Sequence, residues 1–151
     1  MDDGPRTLST DVTGGLIALV VAVAAASVLG LVLRRRAGRF RAGQAHTAPD
    51  VLTAADLGGP LGEQATLVQF STAFCAPCRP TRQILAQVAG MADGVTHIEV
   101  DAATRLDLVQ RLRVNSTPTV LVLGPDGAIV KRAAGLPRKA DVIAALGSVI
   151  G

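Results

Sequence analysis

Residues 66–80, TLVQFSTAFCAPCRP, decide how this chain folds. Thr66-Leu67-Val68-Gln69-Phe70 is a short apolar run rich in β-formers, which predicts a buried strand. The stretch Phe74 to Pro80 breaks it. Beyond the break, Ile84, Leu85, Val88 and Ala89 recur at helical spacing and predict a helix over Cys78 to Met91. Two cysteines, Cys75 and Cys78, therefore fall where a strand gives way to a helix.

The pattern continues outward on both sides. Asp93-Gly94 ends the helix, and Val95 to Val100 reads as a second strand. Leu106, Val109 and Leu112, spaced by threes, give a second helix, and Thr119 to Leu123 a third strand. Pro125-Asp126-Gly127 is a turn short enough for a hairpin into a fourth strand, Ala128 to Arg132. Val142, Ile143, Leu146, Val149 and Ile150 form one face of a C-terminal helix. Upstream, Asp56 to Pro60 marks a turn. The order β-α-β-α-β-β-α implies an α/β fold around a mixed sheet.

The N-terminal third is different. Val12 to Leu33 carries no charge, and Gly14 to Leu33, GGLIALVVAVAAASVLGLVL, has the roughly 20 residues that a helix needs to cross a bilayer core of about 30 Å. A cleavable signal peptide is the competing reading, with Ala24-Ala25-Ala26 as a small-residue site. A signal peptide, however, wants basic residues before its apolar core, and this chain starts acidic. Its basic block follows the core, as in a retained anchor.

Charge is concentrated in that block. The net charge is +3, yet residues 34–41, RRRAGRFR, alone hold five arginines, and residues 42–151 balance nine basic against nine acidic residues. The basic balance is therefore weak evidence for nucleic-acid binding, which calls for a basic face on the folded region, and anionic lipid is the fitting partner for the block. Positive charge stays in the cytoplasm, which places the N-terminus outside and everything after Arg34 inside. The expected organisation is an extracytoplasmic tail (1–13), a transmembrane helix (14–33), a basic juxtamembrane linker (34–50) and a folded domain (51–151).

The only cysteines form Cys75-Ala76-Pro77-Cys78. A zinc site needs about four ligands, and His46, in the linker, and His97, in another strand, are the only histidines. A purely structural disulfide fits a cytoplasmic domain poorly and would close too short a loop to stabilise much. A redox pair is the favoured reading. At a strand-to-helix junction the helix dipole favours a thiolate on Cys75, Pro77 suits the opening turn, and Cys78 is one turn on.

Phe70, Phe74-Cys75-Ala76-Pro77-Cys78, Thr117-Pro118-Thr119 before a strand and Ala134-Gly135 after the hairpin together resemble the thioredoxin family, over roughly residues 51–151. The resemblance implies a thioredoxin-like fold, a disulfide oxidoreductase working without metal or organic cofactor, and a cis proline at Pro118 facing the cysteines. It implies that Thr117 and Pro118, with Phe74, Ala76 and Pro77, meet an extended substrate by strand addition; a plain turn proline is the alternative. The chain departs from the family pattern in having Phe74 before the first cysteine, Ala76 in the middle dipeptide, Gln69 where a buried acid is usual and His97 where its lysine partner aligns. Gln69 cannot titrate. Gln69 and His97 are candidate members of a proton relay, or a buried polar pair that satisfies itself.

The expected function is a membrane-anchored thiol–disulfide oxidoreductase that reduces protein disulfides and is itself restored by a flavin reductase or a membrane thiol protein. The rivals are an extracytoplasmic thiol reductant of the cytochrome c maturation type and a thioredoxin-fold binding or chaperone module.

Overall fold

The structure, a computed structural model, describes residues 7–36, 40–42 and 50–151. The tail residues 1–6 and the linker residues 37–39 and 43–49, His46 among them, lie outside the described residues. The chain divides into two units, Met1–Arg36 and Ala37–Gly151.

The first unit is one helix, α1 (Thr7–Arg36). Its stretch Gly14–Leu33 has a mean hydropathy of 2.9 and is, among the described residues, the one helix long and apolar enough to cross a membrane. The hydroxyl of Ser27 donates back to the carbonyl of Val23 at 2.7 Å. That bond satisfies a polar group within the apolar run without a partner from elsewhere.

The second unit contains β1 (Arg41–Ala42), α2 (Ala54–Leu57), β2 (Ala65–Ser71), α3 (Cys78–Ala89), β3 (Val95–Asp101), α4 (Leu106–Arg111), β4 (Thr119–Leu123), β5 (Ile129–Ala134) and α5 (Lys139–Ile150). The strands form one mixed sheet in the order β1-β5-β4-β2-β3. β2 and β3 run parallel, and the other pairings are antiparallel. This is the expected α/β order with two additions at its start. Of the turn expected over Asp56 to Pro60, Asp56 and Leu57 belong instead to α2, a single helical turn closed by Gly58 at φ 71°, a left-handed cap that glycine adopts without strain, and the chain turns from that glycine onward. β1 lies inside the stretch read as linker, where Arg41 pairs with Arg132 and Ala42 with Lys131. The folded unit thus starts upstream of Val51, because this short segment covers the outer edge of β5.

Alternation along the central strands divides the core. Val68, Phe70, Leu121 and Leu123 face one side, with Leu52, Leu57, Leu108 and Leu112. Ala65, Leu67, Val120 and Val122 face the other, against Leu85 and Val88 of α3 and Val142 and Leu146 of α5. Every residue of β2 and β4 is buried. Burial on both faces is why these strands read as mainly apolar runs rather than strictly alternating ones. Gln69, an odd-numbered residue of β2, must face α3, and it is fully buried there. The β4–β5 hairpin turns at Gly127, with φ 78°; a Cβ there would stand 2.1 Å from the carbonyl oxygen of Leu52, so only glycine fits.

Candidate functional site

β2 ends at Ser71, and the loop Thr72–Pro77 carries the chain into α3. Backbone bonds fold that loop back on itself: the N–H of Cys75 donates to Thr72 O (3.2 Å) and the N–H of Cys78 to Cys75 O (3.1 Å). Cys75 and Cys78 are joined as a disulfide, with Cα atoms 5.3 Å apart. Cys75 is half-buried, whereas Cys78 is 2% exposed. The helix begins at Cys78 itself, with Pro77 as the residue before it. Cys75 therefore precedes α3 by a turn and reaches the helix end through its sulfur. Pro77 fits because the missing proline N–H removes a donor that the helix start could not satisfy. The hydroxyl of Thr81 donates to Pro77 O at 2.8 Å and secures this first turn.

The other expected residues gather around the pair in part. Ala76 and Pro77 lie on the exposed loop between the cysteines. Phe74 is 102% exposed, an aromatic ring held in solvent beside Cys75. The Thr117–Pro118 peptide is cis. Pro118 is buried, and its carbonyl accepts a 2.7 Å bond from the N–H of Gly135. The hydroxyls of Thr72 and Thr117 share a hydrogen bond of 3.3 Å, which joins the cysteine loop to the cis-proline loop. Thr72 carries no signal of its own in the sequence; it is one of many hydroxyls, and only the fold brings it to Thr117.

The expected Gln69–His97 pair does not form. Across the parallel ladder Gln69 is in register with Glu99, and His97 with Leu67. The amide nitrogen of Gln69 instead donates to the carbonyl of Cys78 at 3.0 Å. Gln69 Oε1 and His97 Nε2 are both buried with no hydrogen-bond partner among the described residues. Burial holds His97 below its ordinary pKa, against the pull of Glu99, since an imidazolium is costly away from water.

Three further residues reinforce the site. Ser71 Oγ donates to Glu99 Oε1 at 2.6 Å. Arg82 Nη2 donates to the same oxygen at 2.6 Å, while its Nε meets Oε2 at 2.5 Å. This fork, and the Ser71 hydroxyl after it, hold the Glu99 carboxyl below its usual range. Glu99 carries a signal in the sequence: a charge two residues after His97 must lie on the same strand face. Among the described residues no group of three or more histidine, cysteine or acidic side chains could hold a metal ion.

Comparison with known proteins fits this geometry. The thioredoxin family model matches residues 59–148. Thioredoxin of Mycobacterium tuberculosis is 33% identical over 85 residues, which cover 56% of this chain and 72% of that protein. Thioredoxin of Chlamydia trachomatis is 32% identical over 77 residues, covering 51% and 74%. Among solved structures, chloroplastic thioredoxin z superposes with a TM-score of 0.52 at 26% identity, covering 58% of this chain and 79% of that one. A mutant thioredoxin from Halobacterium salinarum gives 0.54 at 20% identity, covering 59% and 77%. A cysteine pair at the head of α3, a cis proline beside its loop and a family match across most of the second unit lead to one conclusion: this chain belongs to the thioredoxin family and is a thiol–disulfide oxidoreductase.

Proposed function

We propose that this protein reduces protein disulfides at a membrane surface, with Cys75 as the attacking sulfur and Cys78 as the resolving one. The observation that carries the assignment is the asymmetry of exposure: Cys75 is half open, and Cys78 is shut in at 2%. A substrate disulfide can reach only the first. The Cys75 thiolate attacks one substrate sulfur and expels the other as a thiolate. Cys78 then attacks Cys75, loses its proton, and releases the second substrate thiolate. Two electrons pass to the substrate and the Cys75–Cys78 disulfide remains. A thiol or flavin reductase returns the two electrons.

Phe74, Ala76, Pro77, Thr117 and Pro118 form the surface that meets the substrate. Phe74 supplies exposed apolar area, and the cis-proline loop supplies backbone for an extended peptide. His97 Nε2 and the side-chain amide oxygen of Gln69 are buried and unpartnered among the described residues, which supports a relay in which His97 takes the Cys78 proton and Gln69, which cannot titrate, only orients it. The organisation we favour has a spanning helix at 14–33, a basic linker beyond it and the thioredoxin domain inside the cell. The anchor confines the enzyme to substrates near the membrane and raises its effective concentration there.

The test is capture by a Cys78→Ser variant. It should accumulate mixed disulfides with protein partners through Cys75, while Cys75→Ser accumulates none and both fail to reduce insulin. Capture through position 78 in a Cys75→Ser variant would reverse the assignment. Binding of unfolded clients by the double-serine variant, with no insulin reduction by the wild type, would favour the chaperone reading.

A further inference from the structure

Glu99 stands where it can govern the redox pair without touching it. Ser71 is the last residue of β2 before the cysteine loop, and Arg82 lies one helical turn after Cys78 on α3. Side chains four apart on a helix share a face. Glu99 binds both, so one carboxylate ties together the two ends of the redox segment. It is also in register with Gln69, the residue that holds the Cys78 carbonyl. Its side chain is 27% exposed against 53% for Arg82, so the acid is the more sheltered partner.

We propose that Glu99 is a positioning residue whose carboxylate neutralises Arg82 and thereby sets how oxidising the Cys75–Cys78 couple is. The inference rests on those two cysteines being the redox pair. Reduction takes the disulfide, two electrons and two protons to two thiols, and part of the Cys75 thiol then ionises. A cation near that thiolate stabilises the reduced form and makes the couple more oxidising. With Glu99 in place the guanidinium is spent on its own partner. Remove the carboxylate and Arg82 becomes a free cation one turn from Cys78. Remove Arg82 and an uncompensated anion is left beside Gln69. The two changes act with opposite sign. The other ionisable groups on these elements are Arg79 on α3 and His97 and Asp101 on β3; all are common to both variants.

The experiment equilibrates the full-length protein, in detergent micelles, with glutathione buffers at fixed pH. Alkylation and mass measurement then count dithiol against disulfide. Glu99→Gln should move the equilibrium constant about threefold to tenfold toward dithiol, or ~15–30 mV at 29.6 mV per tenfold. Arg82→Gln should move it the other way, and the double variant should return to within about twofold of wild type by the same compensation of charge. Ser71→Ala, which removes a hydrogen bond and no charge, should stay within about twofold. Shifts of the same sign in both single variants would mean a mechanical clamp and overturn the proposal, as would no shift in either. If Glu99→Gln does not fold, the sign of the Arg82→Gln shift decides alone. A wild-type protein whose Cys75 and Cys78 do not interconvert with glutathione would instead defeat the redox-pair assignment beneath it.

Discussion

The amide of Gln69 is the smallest part of the molecule with a large consequence. It lies at full burial and donates to the Cys78 carbonyl. Gln69→Ala removes a buried hydrogen bond and leaves a void, so it should cost about 1–3 kcal/mol in urea unfolding. Gln69→Asp is more informative. An ionised carboxylate can only accept, so beside a carbonyl the protonated acid is the form the fold prefers, and its folded pKa is raised above the ordinary ~3.9. A raised folded value means the variant is most stable below that ordinary pKa and loses stability as pH climbs through the raised one. Unfolding at pH 4 and pH 7 should therefore show the gap from wild type widening with pH; a gap that narrows would contradict this. The cysteines were legible in the sequence because their spacing and their place between strand and helix are local facts. The partner of Gln69 was not, since it depends on how β2 and β3 slide past each other. The expected pairing with His97 missed by two residues: residues 69 and 99 stand side by side, and the unpredicted Ser71–Glu99–Arg82 cluster follows from the same register.

Elements were readable in proportion to their periodicity. β2, α3, β3, α4, β4, β5 and α5 each carry enough residues for a repeat to show, and their ends moved by only a few positions. β1 has two residues and α2 four, too few for any period; what defines them is the edge of β5 and a cap. That cap is testable. Thr53 and Asp56 close a reciprocal box: the Thr53 N–H donates to Asp56 Oδ2 at 2.8 Å, and the Asp56 N–H to Thr53 Oγ1 at 3.2 Å. The backbone bond from Thr53 and the bond from Arg111 bring the Asp56 pKa down to about 2 from 3.8. A lowered folded pKa gives stability that is present above the ordinary value and lost as pH falls toward the folded one. Asp56→Ala should thus cost about 1 kcal/mol at neutral pH, the usual worth of such a cap. The deficit should shrink between pH 4 and pH 2, as seen by thermal or urea unfolding. A deficit that is constant over that range would mean that packing, not the charge, is what Ala removes.

At the scale of the whole chain, the arginines after Leu33 set the expected topology. With five basic residues on the C-terminal side of the apolar helix and one before it, the catalytic unit should face the cytoplasm. Protease added to intact cells should leave that unit uncut, and cleavage should appear only after lysis. Digestion of intact cells would turn the domain outward and revive the extracytoplasmic reductant. The family and the order of elements could be read from the sequence because they depend on one short motif and on apolar rhythm. The fully exposed ring of Phe74 has a consequence of another kind. The chain has no tryptophan and no tyrosine, so its near-ultraviolet emission is almost dark. An indole placed at position 74 would be the one strong emitter in the molecule, set in solvent next to a sulfur whose oxidation state changes with each turnover. The protein is in this sense an empty optical background, on which one substitution would write a light signal for every reduction and reoxidation of its cysteine pair.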